Sequence, residues 1–183
     1  MNIAIDIDST LHNYWDQLSD AAWRRFGIAL PYEEQVTWGI TLLRPEQVRA
    51  CVEETHSEAR VLAAEPYPGA VEAVMDWHGA GHFIHITSHR TTESHAATAR
   101  WLERIGLPYD ELYCSWDKVA RCREIGIDVF IDDSPVNLEK ALEAGITAAT
   151  LLHPWNRELC ETEDVISGTD WDELARNLAP VLA

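Results

Sequence analysis

Three short apolar runs, each stopping on small polar or acidic residues, constrain this chain more than anything else in it. Residues 3–7 are apolar apart from Asp6 and lead into Asp8 and Thr10. Residues 83–86, apolar apart from His85, lead into Thr87 and Ser88, and residues 129–131 lead into Asp132 and Asp133. Runs this short, set between segments of helical period, read as strands buried on both faces, the habit of a parallel sheet. A lone carboxylate inside such a run is unfavourable to bury, so Asp6 needs a compensating partner. A divalent cation is the obvious one, because a bound ion reverses the local electrostatics and keeps a half-buried carboxylate ionised. On its own, Asp-x-Asp-x-Thr is a short pattern, and an acidic pair also serves as ordinary strand-end punctuation.

The rest of the chain alternates helical and extended segments. After the first strand, the stretch beginning His12-Asn13-Tyr14 is helical, with Gly27 as its C-terminal cap and Pro31 breaking the pattern. Pro45 is placed to open another helix. Residues 11–66 are therefore expected to form a helical cap inserted after the first strand, with residues 1–10 and 67–183 forming the core. Val71, Val74, Met75 and His78 have the spacing of a helix facing a core. A strand at 82–86, a helix at about 92–105 carrying Ala97, Trp101 and Ile105, and a short strand near Leu112 follow. Then come a helix from about Asp117, the strand 129–131, and a helix with Leu138, Ala141 and Leu142 ending at Gly145. A strand at 147–152 and a helix near 170–179 complete the pattern. This is an α/β chain with a parallel sheet, and ligands of such sheets bind beyond the carboxyl ends of the strands.

Composition narrows the function. At 183 residues and 46% apolar, the chain suits one domain with a small elaboration. A net charge of −17 argues against a nucleic-acid polymer or an anionic membrane as partner, because both are recognised through basic surfaces. A small phosphorylated metabolite stays admissible, since a metal ion and one well-placed cation can oppose the global charge. No apolar run is long enough to span a bilayer. Cys51, Cys114, Cys122 and Cys160 form no Cys-x-x-Cys pair, and the first residues read as a core strand and not a leader. Reduced thiols in a cytoplasmic protein, each packed in the ordinary way, are expected.

Lys118 is one of only two lysines and precedes the strand that ends at Asp132. Asp-x-Asp, then Thr/Ser, then Lys, then Asp-Asp, spread over residues 2–152 in register with the strand and helix alternation, resembles the haloacid dehalogenase superfamily of aspartyl-phosphate phosphatases. Within it, Phe-Ile-Asp-Asp-Ser-Pro from residue 130 and Leu-Leu-His-Pro-Trp-Asn from residue 151 are similar to the small 5'-nucleotidase group of the cytosolic deoxyribonucleotidase type. The resemblance implies a Rossmannoid three-layer α/β/α fold with strand order 5-4-1-2-3 and hydrolysis of a phosphomonoester, most simply a nucleoside monophosphate. By the same resemblance Asp6 attacks phosphorus, Asp8 protonates the leaving oxygen and later activates water, and Thr87 and Lys118 hold phosphoryl oxygens. Mg2+ is the implied cofactor, bound by Asp6, Asp132 and the main-chain carbonyl of Asp8, with Asp133 beside them or acting through water. The division of labour requires Asp6 ionised and Asp8 with a raised pKa.

Each of these residues also has an ordinary reading. Lys118 alone is a solvated cation, and Thr87 or Ser88 alone is a helix-entry cap, a role open to Thr91 or Thr92. Arg90 is a candidate for the substrate phosphate or a plain surface arginine. Among the cap aromatics Tyr14, Trp15, Trp23 and Trp38, Trp38 is the chosen candidate for stacking on a base, although aromatics in small helical elements are more often core. Trp155 and Asn156 line the site entrance or simply pack a loop. His82, His85, His89 and His95 read as surface or packing residues, because the His85 and His89 pair lies across a strand end where a zinc site is improbable. A phosphoacceptor receiver domain uses similar groups in another order, with its acidic pair first. A sugar-phosphate phosphatase and a catalytically silent binding protein of the same fold are the remaining alternatives.

Overall fold

The computed structural model of the protein describes residues 1–115 and 117–183. Among the described residues six parallel strands form one sheet: β1 (Asn2–Ile5), β2 (Phe83–Ser88), β3 (Glu111–Cys114), β4 (Val129–Ile131), β5 (Thr147–Leu151) and β6 (Ile166–Gly168). Their order is β3-β2-β1-β4-β5-β6, which contains the anticipated order of five with one strand added outside β5. The pleat sends alternate residues to two separate cores. Ile3, Ile5, Ile84, Ile86, Val129 and Ile131 meet helices α4 (Ala70–Gly79), α5 (His95–Ile105) and α9 (Trp171–Leu182) on one side. Ala4, Phe130 and Ala148 meet α6 (Lys118–Glu124), α7 (Pro135–Glu143) and α8 (Arg157–Thr162) on the other.

Between β1 and α4 lie α1 (Tyr14–Phe26), a 3₁₀ turn (Tyr32–Glu34), α2 (Pro45–Thr55) and α3 (Glu58–Ala63). Gly27 caps α1 in the left-handed conformation and Pro45 opens α2, as the sequence predicts. Helices α1 and α2 enclose a third apolar cluster of Trp15, Leu18, Leu30, Leu43 and Cys51. Trp155, which follows β5, joins it. Arg24, Arg25 and Arg60 tie the outer faces of these helices to Asp20 and Glu54.

Three expectations change. Helix α4 buries Ala70, Ala73, Val74 and Trp77, whereas Met75, expected inside, is 53% exposed. The stripe is rotated because small alanines bring the helix close to the sheet and Trp77 packs on Trp171, ring centres 5.9 Å apart. Strand β2 runs on through Thr87 and Ser88, which pair with Tyr113 and Cys114 of β3. Strand β6 and helix α8 have no counterpart in the sequence reading. Both are very short, and β6 ends on Gly168, where a Cβ would lie 2.4 Å from the main-chain nitrogen of Leu174.

Candidate active site

Register builds the site. Ile5 of β1 is level with Ile86 of β2 and Ile131 of β4, so Asp6 and Asp132 come next at one height just beyond their strands, level with Thr87 inside β2. The main-chain N–H of Asp6 donates to Ile131 O (2.8 Å) and that of Asp132 to Ala149 O (3.1 Å), extending the ladder under the carboxylates. Asp6, Asp132 and Asp133, all buried, each offer an oxygen within 4.8 Å of the others'. Lys118 enters from the first turn of α6, whose N-cap is Asp117, and its Nζ donates to Asp6 Oδ1 and to Asp132 Oδ2 (3.0 Å). Asp132 is held further by Ser134 N (2.8 Å) and Asn137 Nδ2 (3.2 Å).

This cluster is short of positive charge. Burial raises the Asp6 carboxyl, and with the repulsion of Asp132 and Asp8 it outweighs Lys118 to push Asp6 up to about 7. Burial likewise lifts Asp133 well above the usual range, reinforced by Asp132 and Asp6. Lys118 itself stays firmly protonated: burial opposes its charge, but Asp132 and Asp6 prevail. Three buried carboxylates around one ammonium are a set of hard oxygen donors with a charge deficit, which a small divalent cation fits.

Asp8 occupies the turn after β1, where Ile7 O accepts from Leu11 N (2.9 Å) and Ser9 takes a left-handed φ of 61°. Its surroundings differ from those of Asp6. Arg90 Nη2 donates to Asp8 Oδ1 (2.6 Å) and Arg90 Nε to Oδ2 (3.3 Å). His12 Nε2 lies 3.0 Å from Oδ1. His56 Nε2 lies 3.2 Å from Oδ2, within ion-pair distance but not aligned as a hydrogen bond. Burial alone would push the Asp8 carboxyl up, but Arg90 and the two imidazoles hold it well below the usual carboxylate range. Asp8, expected to have a raised pKa, is thus held low instead. The cause is the pairing of Asp8 with an arginine that the sequence alone does not connect to it.

A cavity of about 250 Å³ lies over these groups, with Asp6, Asp8, Lys118, Asp132 and Asp133 below and Tyr14, Trp38, Val52 and His56 of the insert above. An adjoining hollow of about 330 Å³ is walled by Trp15, Gln35, Trp38, Ile40, Val48 and Trp155. Gln35 Nε2 holds the Trp38 loop through Thr37 O (2.6 Å) and Gly39 O (3.1 Å). Trp38 stands on the rim, 43% exposed, its ring 6.4 Å from that of Trp155.

The remaining predicted residues fall in distinct places. Thr87 is buried at the level of Asp6, its Oγ1 without a hydrogen-bond partner among the described residues. Ser88 Oγ accepts from Arg90 N (3.2 Å). Arg90 is 2% exposed, and its guanidinium is engaged by Asp8 and Thr98; it is neither a surface residue nor a free cation at the cavity. Trp155 Nε1 and Asn156 Nδ2 both donate to Asp133 O (3.2 Å each), so this loop fixes the main chain beside the carboxylates. His12, His56 and His153 are absent from the sequence reading. His153 Nε2 lies 2.8 Å from Ser9 O, and its Nδ1 lies 2.7 Å from the Tyr32 hydroxyl. His12, four residues after Asp8, and His153, in the segment His-Pro-Trp-Asn, lay beside residues already singled out. His56, at the end of α2, carried no signal. Among the described residues Asp6, Asp132 and Asp133 form the one cluster with metal-ligand spacing, and the four cysteines are free.

A parallel sheet whose central strand ends meet in paired carboxylates, a buried lysine and a roofed cavity defines a hydrolase of the haloacid dehalogenase fold. Known structures share that architecture. A haloacid dehalogenase family hydrolase from Deinococcus radiodurans, solved with bound phosphate and sodium, superposes with a TM-score of 0.71 at 19% identity, covering 99% of this chain and 96% of that one. The chain belongs to the family described as 5' nucleotidase, deoxy (Pyrimidine), cytosolic type C, which it matches over residues 1–179. It is accordingly a phosphatase of the nucleotidase kind. A "Putative 5'(3')-deoxyribonucleotidase" from Chlorobaculum tepidum is 24% identical over 170 residues, 87% of this chain and 82% of that protein. A "Putative nucleotidase" from Bacillus cereus is 29% identical over 122 residues, 64% of this chain and 62% of the relative.

Proposed function

We propose that the protein is a magnesium-dependent 5'-nucleotidase that hydrolyses nucleoside or deoxynucleoside monophosphates through an aspartyl-phosphate on Asp6. The observation that carries this reading is the convergence of Asp6, Asp132, Asp133 and Lys118 at the β1 and β4 ends, with Asp8 facing the same cavity. Asp6, Asp132, Asp133 and the main-chain carbonyl of Asp8 are the groups that would hold magnesium. When bound, the ion supplies the positive charge that the cluster lacks and neutralises phosphoryl oxygens.

Asp6 attacks phosphorus as a carboxylate nucleophile and the ester P–O bond breaks. Asp8, a carboxylate at rest, takes up a proton brought by the monoester, whose second ionisation lies near pH 6 as in phosphoserine, and passes it to the departing oxygen. It then accepts a proton from the water that cleaves the acyl phosphate, releasing inorganic phosphate and restoring Asp6. Lys118 and Thr87 steady the phosphoryl oxygens, the latter offering an unpartnered hydroxyl. Residues 11–66 serve as the cap, and the aromatic hollow bounded by Trp38 and Trp155 takes the base. A net charge of −17 favours a small ester over a polynucleotide. The family description and the four free thiols suit the cytoplasm.

The test is phosphate release from nucleoside monophosphates, sugar phosphates and an aryl phosphate, with magnesium, with chelator, and with Asp6→Asn. Magnesium-dependent preference for nucleotides, absent in Asp6→Asn, is expected. Preference for another ester would discard the substrate and keep the chemistry, silence across the panel would leave a binding protein, and residual turnover by Asp6→Asn would remove Asp6 as nucleophile.

A further inference from the structure

We propose that Arg90 is a positioning residue that fixes the Asp8 carboxylate in the single orientation its proton transfers require. This rests on the phosphatase reading above. The guanidinium grips both oxygens of Asp8 through two different nitrogens, at 2.6 Å and 3.3 Å, a fork that sets the plane of the carboxylate as well as its position. Arg90 is itself held from three directions. Its Nη1 donates to Thr98 Oγ1 of α5 (3.2 Å), its main-chain N–H to Ser88 Oγ (3.2 Å), and its guanidinium carbon lies 6.0 Å from the centre of the Trp101 ring.

The placement separates this role from substrate binding. Asp8 forms part of the cavity wall and keeps 18% of its side chain accessible, whereas Arg90 is nearly fully buried and is not among the residues lining the cavity. A residue so placed reaches the substrate only through Asp8. A guanidinium buried at the end of β2 carries a desolvation penalty, which the fork to Asp8 and the bond to Thr98 offset. Without the fork, Asp8 keeps only His12 at Oδ1 and the unaligned His56 imidazole near Oδ2, contacts that do not set the plane of its carboxylate. A displacement of about 1 Å at a group in the chemistry typically lowers rate about 10²-fold.

Leaving-group dependence reads this out. A departing alkoxide needs the proton that Asp8 delivers as the P–O bond breaks, whereas an acidic phenol leaves as its anion and needs none. The quantity to measure is kcat/KM, which reports the first phosphoryl transfer, for an alkyl phosphate and for an aryl phosphate of an acidic phenol, both with magnesium. Arg90→Met is expected to lose about 10²-fold on the alkyl ester with little change on the aryl ester. Arg90→Lys, which keeps the charge without the planar fork, should recover part of that loss. In an Asp8→Asn background, Arg90→Met should add no further selectivity. Should Arg90→Met fail to fold, Thr98→Val, which removes one anchor of the guanidinium, is expected to show a smaller loss with the same bias toward the alkyl ester. Equal losses on both esters in a folded variant, no loss, or a gain on the alkyl ester would overturn the proposal while leaving the phosphatase reading intact. A parent protein inactive on both esters would overturn the reading itself.

Discussion

Asp6 and Asp8 sit two residues apart and have opposite electrostatic surroundings, and stability should record the difference. Asp6 has a folded-state pKa of about 7 against an ordinary 3.8, so it favours the folded state fully below pH 3.8 and loses that contribution as pH rises through about 7. Asp133 acts in the same sense. Asp8, held low, contributes above the ordinary carboxylate range and loses its contribution only in strong acid. In chelator, the melting temperature should therefore fall between about pH 4 and pH 7, and magnesium should flatten that fall; thermal unfolding across pH, with and without the ion, checks it. Lys118→Met removes the one ammonium among three carboxylates. In chelator it should destabilise the fold by about 3 kcal/mol, the scale for breaking a buried pair, and the stabilising increment from magnesium should grow. At this scale the sequence was most legible where residues lie in register. Asp6, Thr87 and Asp132 each follow an apolar run, so their convergence needed only the strand order. Arg90 was legible as a residue and not as a role, because its pairing with Asp8 spans 82 positions and depends on how β2 turns into α5. His56 reaches the site from a helix whose sequence shows only an amphipathic face.

Elements that bury a regular stripe were readable, and those decided by a single close contact were not. Helix α1 ended at Gly27 and α2 began at Pro45 because cap chemistry is local. Strand β6 has three residues and exists because Gly168 lets α9 lie against it, a tertiary fact with no periodicity to announce it. Gly168→Ala should lower stability by about 1–3 kcal/mol, as overpacking does, seen as a lower urea midpoint at unchanged slope. Helix α4 was read with its stripe displaced, since alanine scores weakly as a core residue yet allows the closest approach to a sheet. In the insert, the loop bearing Trp38 is held by the Gln35 amide and presents its ring beside Trp155. Trp38→Ala should lower kcat/KM for nucleoside monophosphates by about tenfold or more, the scale of base stacking on an aromatic side chain. The same variant should treat a small alkyl phosphate as the parent does, and an equal loss on both would place Trp38 outside base recognition.

At the scale of the whole molecule, the charge of −17 surrounds a site that must admit an anion. With magnesium saturating, kcat/KM for a phosphomonoester should rise as ionic strength is raised from about 0.01 M to about 0.15 M, because the screening length shortens from about 30 Å to about 8 Å. A fall over that range would mean that the cavity's own field outweighs the surface. Trp155 bears on how the molecule moves. It belongs to the segment after β5, it is bonded to the main chain of Asp133, and its ring lies inside the apolar cluster of α1 and α2. Raising those helices as a unit would strip about 150–250 Å² from this indole, a penalty of about 4–6 kcal/mol. The segment with Val36, Trp38 and Leu42 already outside the packing faces no such penalty. Traffic to the carboxylates should therefore pass sideways through that segment, at the pace of a loop, while Trp155, the Tyr32–His153 bond and the seat of α3 on α5 keep the helices in place.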